Sequence, residues 1–84
     1  MRNKLKKILL FFGVENQILK CIEELSELIK ELAKNNNRNA IIEEIADCEI
    51  MLEQMKLAYY IDTQEIEDWK KEKINRVIMK ISKG

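Results

Sequence analysis

Apolar side chains recur at steps of three and four along most of the chain, in four stretches separated by short breaks. The first stretch, from about Asn3 to Phe12, is stopped by Gly13. The second, from about Glu15 to Lys34, carries Ile18, Ile22, Leu25, Ile29 and Leu32 at helical spacing. Asn35-Asn36-Asn37-Arg38-Asn39 then reads as a polar loop that also offers an N-cap. The third helix covers roughly Ala40 to Tyr60, with Ile41, Ile45, Cys48, Leu52, Met55 and Tyr59 on one face. Asp62 can cap a fourth, Glu65 three residues later completes a capping box, and Ile66, Ile74, Val77, Ile78 and Ile81 are expected to point inward. Short connections favour antiparallel neighbours, so the pattern predicts a single all-α domain, residues 1–84, built as a four-helix bundle.

Composition agrees. The chain has no Pro, only two Gly, and 46% hydrophobic residues, which excludes both a turn-rich β fold and a disordered chain. A domain of 84 residues buries only about 60% of its unfolded surface and gains much from a partner subunit. Phe11, Phe12, Tyr59, Tyr60 and Trp69 are too many large groups for one unit to cover, so a homodimer or homotetramer is expected. Fifteen bases balance fifteen acids, leaving no basic excess to drive nucleic-acid binding. Cys21 and Cys48 fall on apolar stripes and read as buried thiols in a reducing compartment. Met1 to Phe12 superficially resembles a signal peptide, but its apolar run is short, Glu15 follows closely and no small-residue cleavage site appears. A packing helix is the better reading. No segment is long enough to span a membrane, so a cytoplasmic protein without a membrane partner is expected.

Charge breaks the apolar pattern at two places. Glu44 falls inside the broad apolar arc of the third helix, beside Ile41, Cys48, Met51 and Met55, and Asp47 lies at its edge. An ionised carboxylate does not enter a helical core without a positive partner, because its desolvation is costly. The second helix carries Glu24 and Glu27, also three apart and pointing the same way, beside Cys21, Leu25 and Leu28. Four convergent carboxylates need a cation, and oxygen ligands without thiolate or imidazole suit Mg2+ or Mn2+ rather than Zn2+. The chain has no His, which excludes His-based zinc sites and His acid–base catalysis. The bland alternative for Glu-Glu-x-x-Glu is a solvated face paired with lysines.

Lys20-x-x-Glu23-Glu24-x-x-Glu27, then sixteen intervening residues, then Glu44-x-x-Asp47, resembles the signature of the all-α nucleotide pyrophosphohydrolases, MazG-like branch. The surroundings, Gln17 to Leu28 and Glu43 to Leu52, are most similar to small phage or prophage members, and the similarity runs from Gly13 to about Arg76. The resemblance implies a four-helix MazG-like bundle, obligate dimers or tetramers, and Mg2+-dependent cleavage of a nucleoside triphosphate substrate to monophosphate and pyrophosphate. It implies Glu24, Glu27, Glu44 and Asp47 as metal ligands, with one Glu taking the water's proton and Glu23 serving in catalysis or as an orienting group. Trp69, Lys73, Arg76 and Lys80 form a stripe on the last helix, read either as a phosphate clamp or as a snorkelling rim. Lys20, one turn before Glu24, either meets phosphate or shields the carboxylates.

Three rivals stand beside this reading. Phosphoribosyl-ATP pyrophosphohydrolase has a similar motif pair but usually carries aromatic and His residues after the Asp, where this chain has Cys48-Glu49-Ile50-Met51. The others are a catalytically silent regulatory bundle and a basic amphipathic membrane binder through Met1 to Phe12. No motif encodes base or sugar.

Overall fold

A computed structural model describes residues 1–34 and 37–84, so Asn35 and Asn36 of the expected loop lie outside the described residues. Four helices follow one another, α1 (Arg2–Phe12), α2 (Val14–Lys34), α3 (Arg38–Ala58) and α4 (Thr63–Lys83), with no strand among the described residues. The all-helical class read from periodicity is therefore observed. No helix described is long and apolar enough to cross a membrane.

The breaks have local causes. Gly13 sits at φ +89°, a region that L side chains rarely adopt, and nothing lies within 4 Å of where its Cβ would be. Glycine is required there by backbone conformation rather than by space. Asn37 caps α3, its side chain accepting from Ala40 N–H at 3.1 Å, so Arg38 and Asn39 are helical rather than part of the loop. The Asp62–Glu65 capping box is present. α3 ends two residues earlier than the pattern implies: Tyr60 takes φ +54°, with Ile61 N–H bonding Lys56 C=O and Tyr60 N–H bonding Leu57 C=O. These two bonds make a Schellman motif that turns the chain out of α3.

α2 and α3 form an antiparallel hairpin, and α1 packs across both through Leu5 and Leu9. The small core consists of Leu5, Leu9, Cys21, Cys48 and Met51, with Gln17 and Gln54 buried among them. Gln17 Nε2 donates to Gln54 Oε1 at 2.6 Å. Seven residues inward along both helices, the same antiparallel register opposes Glu24 to Asp47. Cys48 Sγ–H donates to Glu24 C=O at 3.3 Å, and both cysteines are free and buried, as expected. Burial pushes both thiols up.

α4 departs from the expected inward packing. It has no buried residue, and Ile74, Val77, Ile78 and Ile81 are 54–69% exposed. Within one chain α4 has no more than marginal contact with the other helices, because the turn at Tyr59–Asp62 directs it away. The radius of gyration is 15.8 Å, against about 12 Å for a compact chain of this length. The accessible surface is 7115 Å², against about 5,200 Å² for a compact monomer of this mass.

Candidate metal centre

Around the α2–α3 contact line the hairpin has two unlike sides. At 100° per residue, Ile18, Ile22, Leu25, Ile29 and Leu32 of α2 fall on one side, with Ile41, Ile45, Leu52 and Tyr59 of α3. Most of that apolar side is exposed. The other side carries Glu24, Glu27 and Glu31 of α2 opposite Glu44 and Asp47 of α3.

Three of those carboxylates converge. Glu24, Glu44 and Asp47, each half-buried, offer oxygens that lie within 4.8 Å of one another. Glu44 Oε2 is buried, with no hydrogen-bond partner among the described residues. Burial pushes the Glu44 carboxyl above its ordinary value of 4.5, and the negative charges of Asp47, Glu24, Glu27 and Glu31 push the same way. Lys20 Nζ lies 3.2 Å from Glu24 Oε1 and 3.8 Å from Glu23 Oε1. Its hydrogen bond to Glu24, with the charges of Glu23 and Glu24, raises its pKa further. Among the described residues, Lys20 is the one lysine paired with any of the three converging carboxylates.

The residue types and spacing fit a hard divalent cation. Two oxygens bound to one Mg2+ at about 2.1 Å each lie at most about 4.2 Å apart, so small rotamer changes would bring these three onto one ion. The orphaned Glu44 oxygen has no competing protein donor to give up.

Other expected site residues lie further out. Glu27 is outside the three-carboxylate group and pairs with Lys30 at 3.5 Å, although its charge bears on Glu44. Glu23 faces solvent beside Lys20. On α4, Lys73 Nζ stands 5.9 Å from the Trp69 ring centroid and Arg76 Nη2 pairs with Glu72 at 2.6 Å. Since α4 stands away from the hairpin, one chain does not bring Lys73 or Arg76 to the carboxylates. Glu31 was not among the expected residues, yet it is partly buried, pairs with Lys34 at 3.5 Å and acts on Glu44. Its signal in the sequence is spacing: it follows Glu24 by seven and Glu27 by four, on the same helical face.

Cavities of ≈ 270 and ≈ 520 Å³ lie elsewhere, where α1 meets the end of α3 and the start of α4, and none of the three converging carboxylates lines either. Comparisons with protein families, with curated proteins and with solved structures return no match.

Proposed function

We propose that this chain is a Mg2+-dependent nucleoside triphosphate pyrophosphohydrolase of the MazG-like all-α type, with Mn2+ as an alternative ion. The observation that carries the reading is Glu44 Oε2, buried without a partner among Asp47 and Glu24. A carboxylate oxygen in that position is destabilised by desolvation and by like charge, and a divalent cation relieves both.

In this reading Glu24, Glu44 and Asp47 hold the ion. A cation held there would supply positive charge to offset the charge of the triphosphate. Glu27 lies one turn along α2 from Glu24 and is solvated, which suits a group that accepts a proton from the attacking water. Lys20 holds Glu24 in place through its 3.2 Å contact and adds positive charge at the edge where phosphates approach. Cleavage falls between the α- and β-phosphates, giving the monophosphate and pyrophosphate.

The active form is a homodimer or homotetramer in this proposal. The accessible area of 7115 Å² exceeds that of a compact monomer by about 1,900 Å². A standard interface takes about 800 Å² from each partner, so one chain exposes enough excess surface for two. The apolar side of the hairpin and the exposed arc of α4 are the surfaces to be covered. A second copy could then bring Lys73 and Arg76 of its α4 to the substrate phosphates, where one chain alone does not.

Glu44→Gln tests the reading, since it keeps the shape and removes the charge. It should abolish pyrophosphate release from dNTPs and reduce the rise in melting temperature on adding Mg2+, while the metal-free protein is equally or more stable. If Glu44→Gln hydrolyses dNTPs at the wild-type rate, the metal-site reading is wrong.

A further inference from the structure

Charge is segregated along a chain that is neutral as a whole. Residues 1–14 carry Arg2, Lys4, Lys6 and Lys7 and no acid, so the remainder is negative by the same four charges. α1 turns Leu5 and Leu9 to the body, which leaves Lys7, Leu10 and Phe11 on the opposite face with Lys4 and Lys6 at its edges. Leu10 is 83% and Phe11 82% exposed. The arrangement runs against helix stability. The first turn of α1, where the helix dipole disfavours cations, contains Arg2 and Lys4, and the last turn, where cations are favoured, contains none and presents apolar groups to solvent instead.

A second element joins the same corner. Arg2, Lys6, Leu10, Lys56 and Tyr60 line the ≈ 520 Å³ cavity, so the outer edge of α1 is continuous with the turn that ends α3. Tyr60 is 95% exposed and held at φ +54°, a left-handed conformation disfavoured for a bulky side chain. Among the described residues the one acid lining that cavity is Asp62, whose side chain is engaged in capping α4.

We propose that this corner is a docking surface for a membrane rich in anionic phospholipid. Leu10, Phe11 and Tyr60 enter the interfacial layer, and Arg2, Lys6 and Lys7 lie against the lipid phosphates. Aromatic and aliphatic groups ringed by cations match that layer, which is apolar at depth and anionic at its surface. A nucleic acid would meet the bases but offer nothing to Leu10. The apolar side of the hairpin has no such collar of cations, and so suits contact with a second copy instead. α1 has 11 residues and lies on the surface; it does not span.

Flotation of the full chain with vesicles tests this. The protein should bind phosphatidylcholine vesicles containing about 30% phosphatidylserine, fail to bind phosphatidylcholine alone, and dissociate in about 0.5 M salt. Replacing Lys6 and Lys7 together by Gln should weaken binding about 25-fold, near fivefold for each lysine. L10S/F11S should weaken it at least about tenfold, with helicity by circular dichroism and mass by light scattering both unchanged. Glu44→Gln should bind vesicles like the wild type, which separates this surface from the carboxylates. Absence of binding to anionic vesicles, equal binding to neutral ones, or a lower solution mass for L10S/F11S would each overturn the proposal, the last by making this face a contact between copies. Binding to a DNA duplex that displaces the vesicles would overturn it as well.

Discussion

Replacing Gln54 by Leu should be among the costliest single substitutions in this chain. Gln54 is 1% exposed and Gln17 6%, and their 2.6 Å hydrogen bond is the only polar contact between buried side chains of α2 and α3 among the described residues. Gln54→Leu leaves the Gln17 amide buried without its acceptor, and Gln17→Leu leaves Gln54 Oε1 buried without its donor. Each single change should cost about 1–3 kcal/mol, whereas Leu at both positions removes the orphaned groups together and should cost much less than the sum. In a domain of this size 2 kcal/mol corresponds to a fall in melting temperature of about 10 °C. The pair also has a functional consequence, because its register is the one that opposes Glu24 to Asp47 two turns away. A slip of one turn along α3 would move those carboxylates apart by about 5.4 Å. The double variant should therefore be stable yet respond less to Mg2+, since a buried polar pair specifies register in a way that two leucines do not. Urea unfolding of the two singles and the double, repeated with and without Mg2+, measures both effects. Additive costs below about 0.5 kcal/mol each would refute the coupling, and a double variant with an undiminished response to Mg2+ would refute the register argument.

Three further outcomes are expected. The folded state raises the Glu44 pKa above 4.5, so it holds that proton more tightly than the unfolded chain does. The resulting stabilisation is full below the unfolded value and is lost as pH rises through the folded one; metal-free melting temperature should fall over that window, and Glu44→Gln should flatten the fall. Ile29 is exposed on the apolar side of the hairpin, so Ile29→Lys should reduce the mass measured by light scattering toward a single chain, and a wild type that is already a folded monomer at micromolar concentration would contradict this. Arg76→Ala breaks only an exposed pair with Glu72, worth at most about 0.5 kcal/mol. If Arg76 contacts phosphate from a second copy, the substitution raises KM or lowers kcat with melting nearly unchanged; a changed melting temperature with unchanged kinetics would make it structural rim.

Helix number, the Gly13 break, the Asp62–Glu65 capping box and the burial of both cysteines were legible because each depends on residues within one or two turns of one another. Glu44 was legible for the same reason: its place in an apolar arc is a property of α3 alone. What could not be read was which arc is buried against what. The periodicity of α4 states that Ile74, Val77 and Ile81 need cover, but not that the other helices of the chain leave them exposed. The limit applies at the site too. Glu24 and Glu27 are equivalent by spacing, yet Glu24 is the one that converges with Glu44 and Asp47, because that choice is made by the inter-helix register, which no motif marks.

The two sides of the hairpin make opposite demands on stability, and this links the site to assembly. The acidic side stores repulsion around Glu44 when no cation is present, while the core that must outweigh it is small, with two of its most buried side chains being glutamines. An exposed apolar side cannot offset that deficit within one chain. Covered by a second copy it can, so self-association and cation binding should stabilise the same folded state and reinforce one another by mass action. Mg2+ should then raise the melting temperature of Ile29→Lys from a lower starting point than that of the wild type. Thermal melts at several protein concentrations, with and without Mg2+, measure this coupling: the wild-type melting temperature should rise with protein concentration and that of Ile29→Lys should not. A wild-type melting temperature independent of protein concentration would show that the hairpin supports its carboxylates unaided.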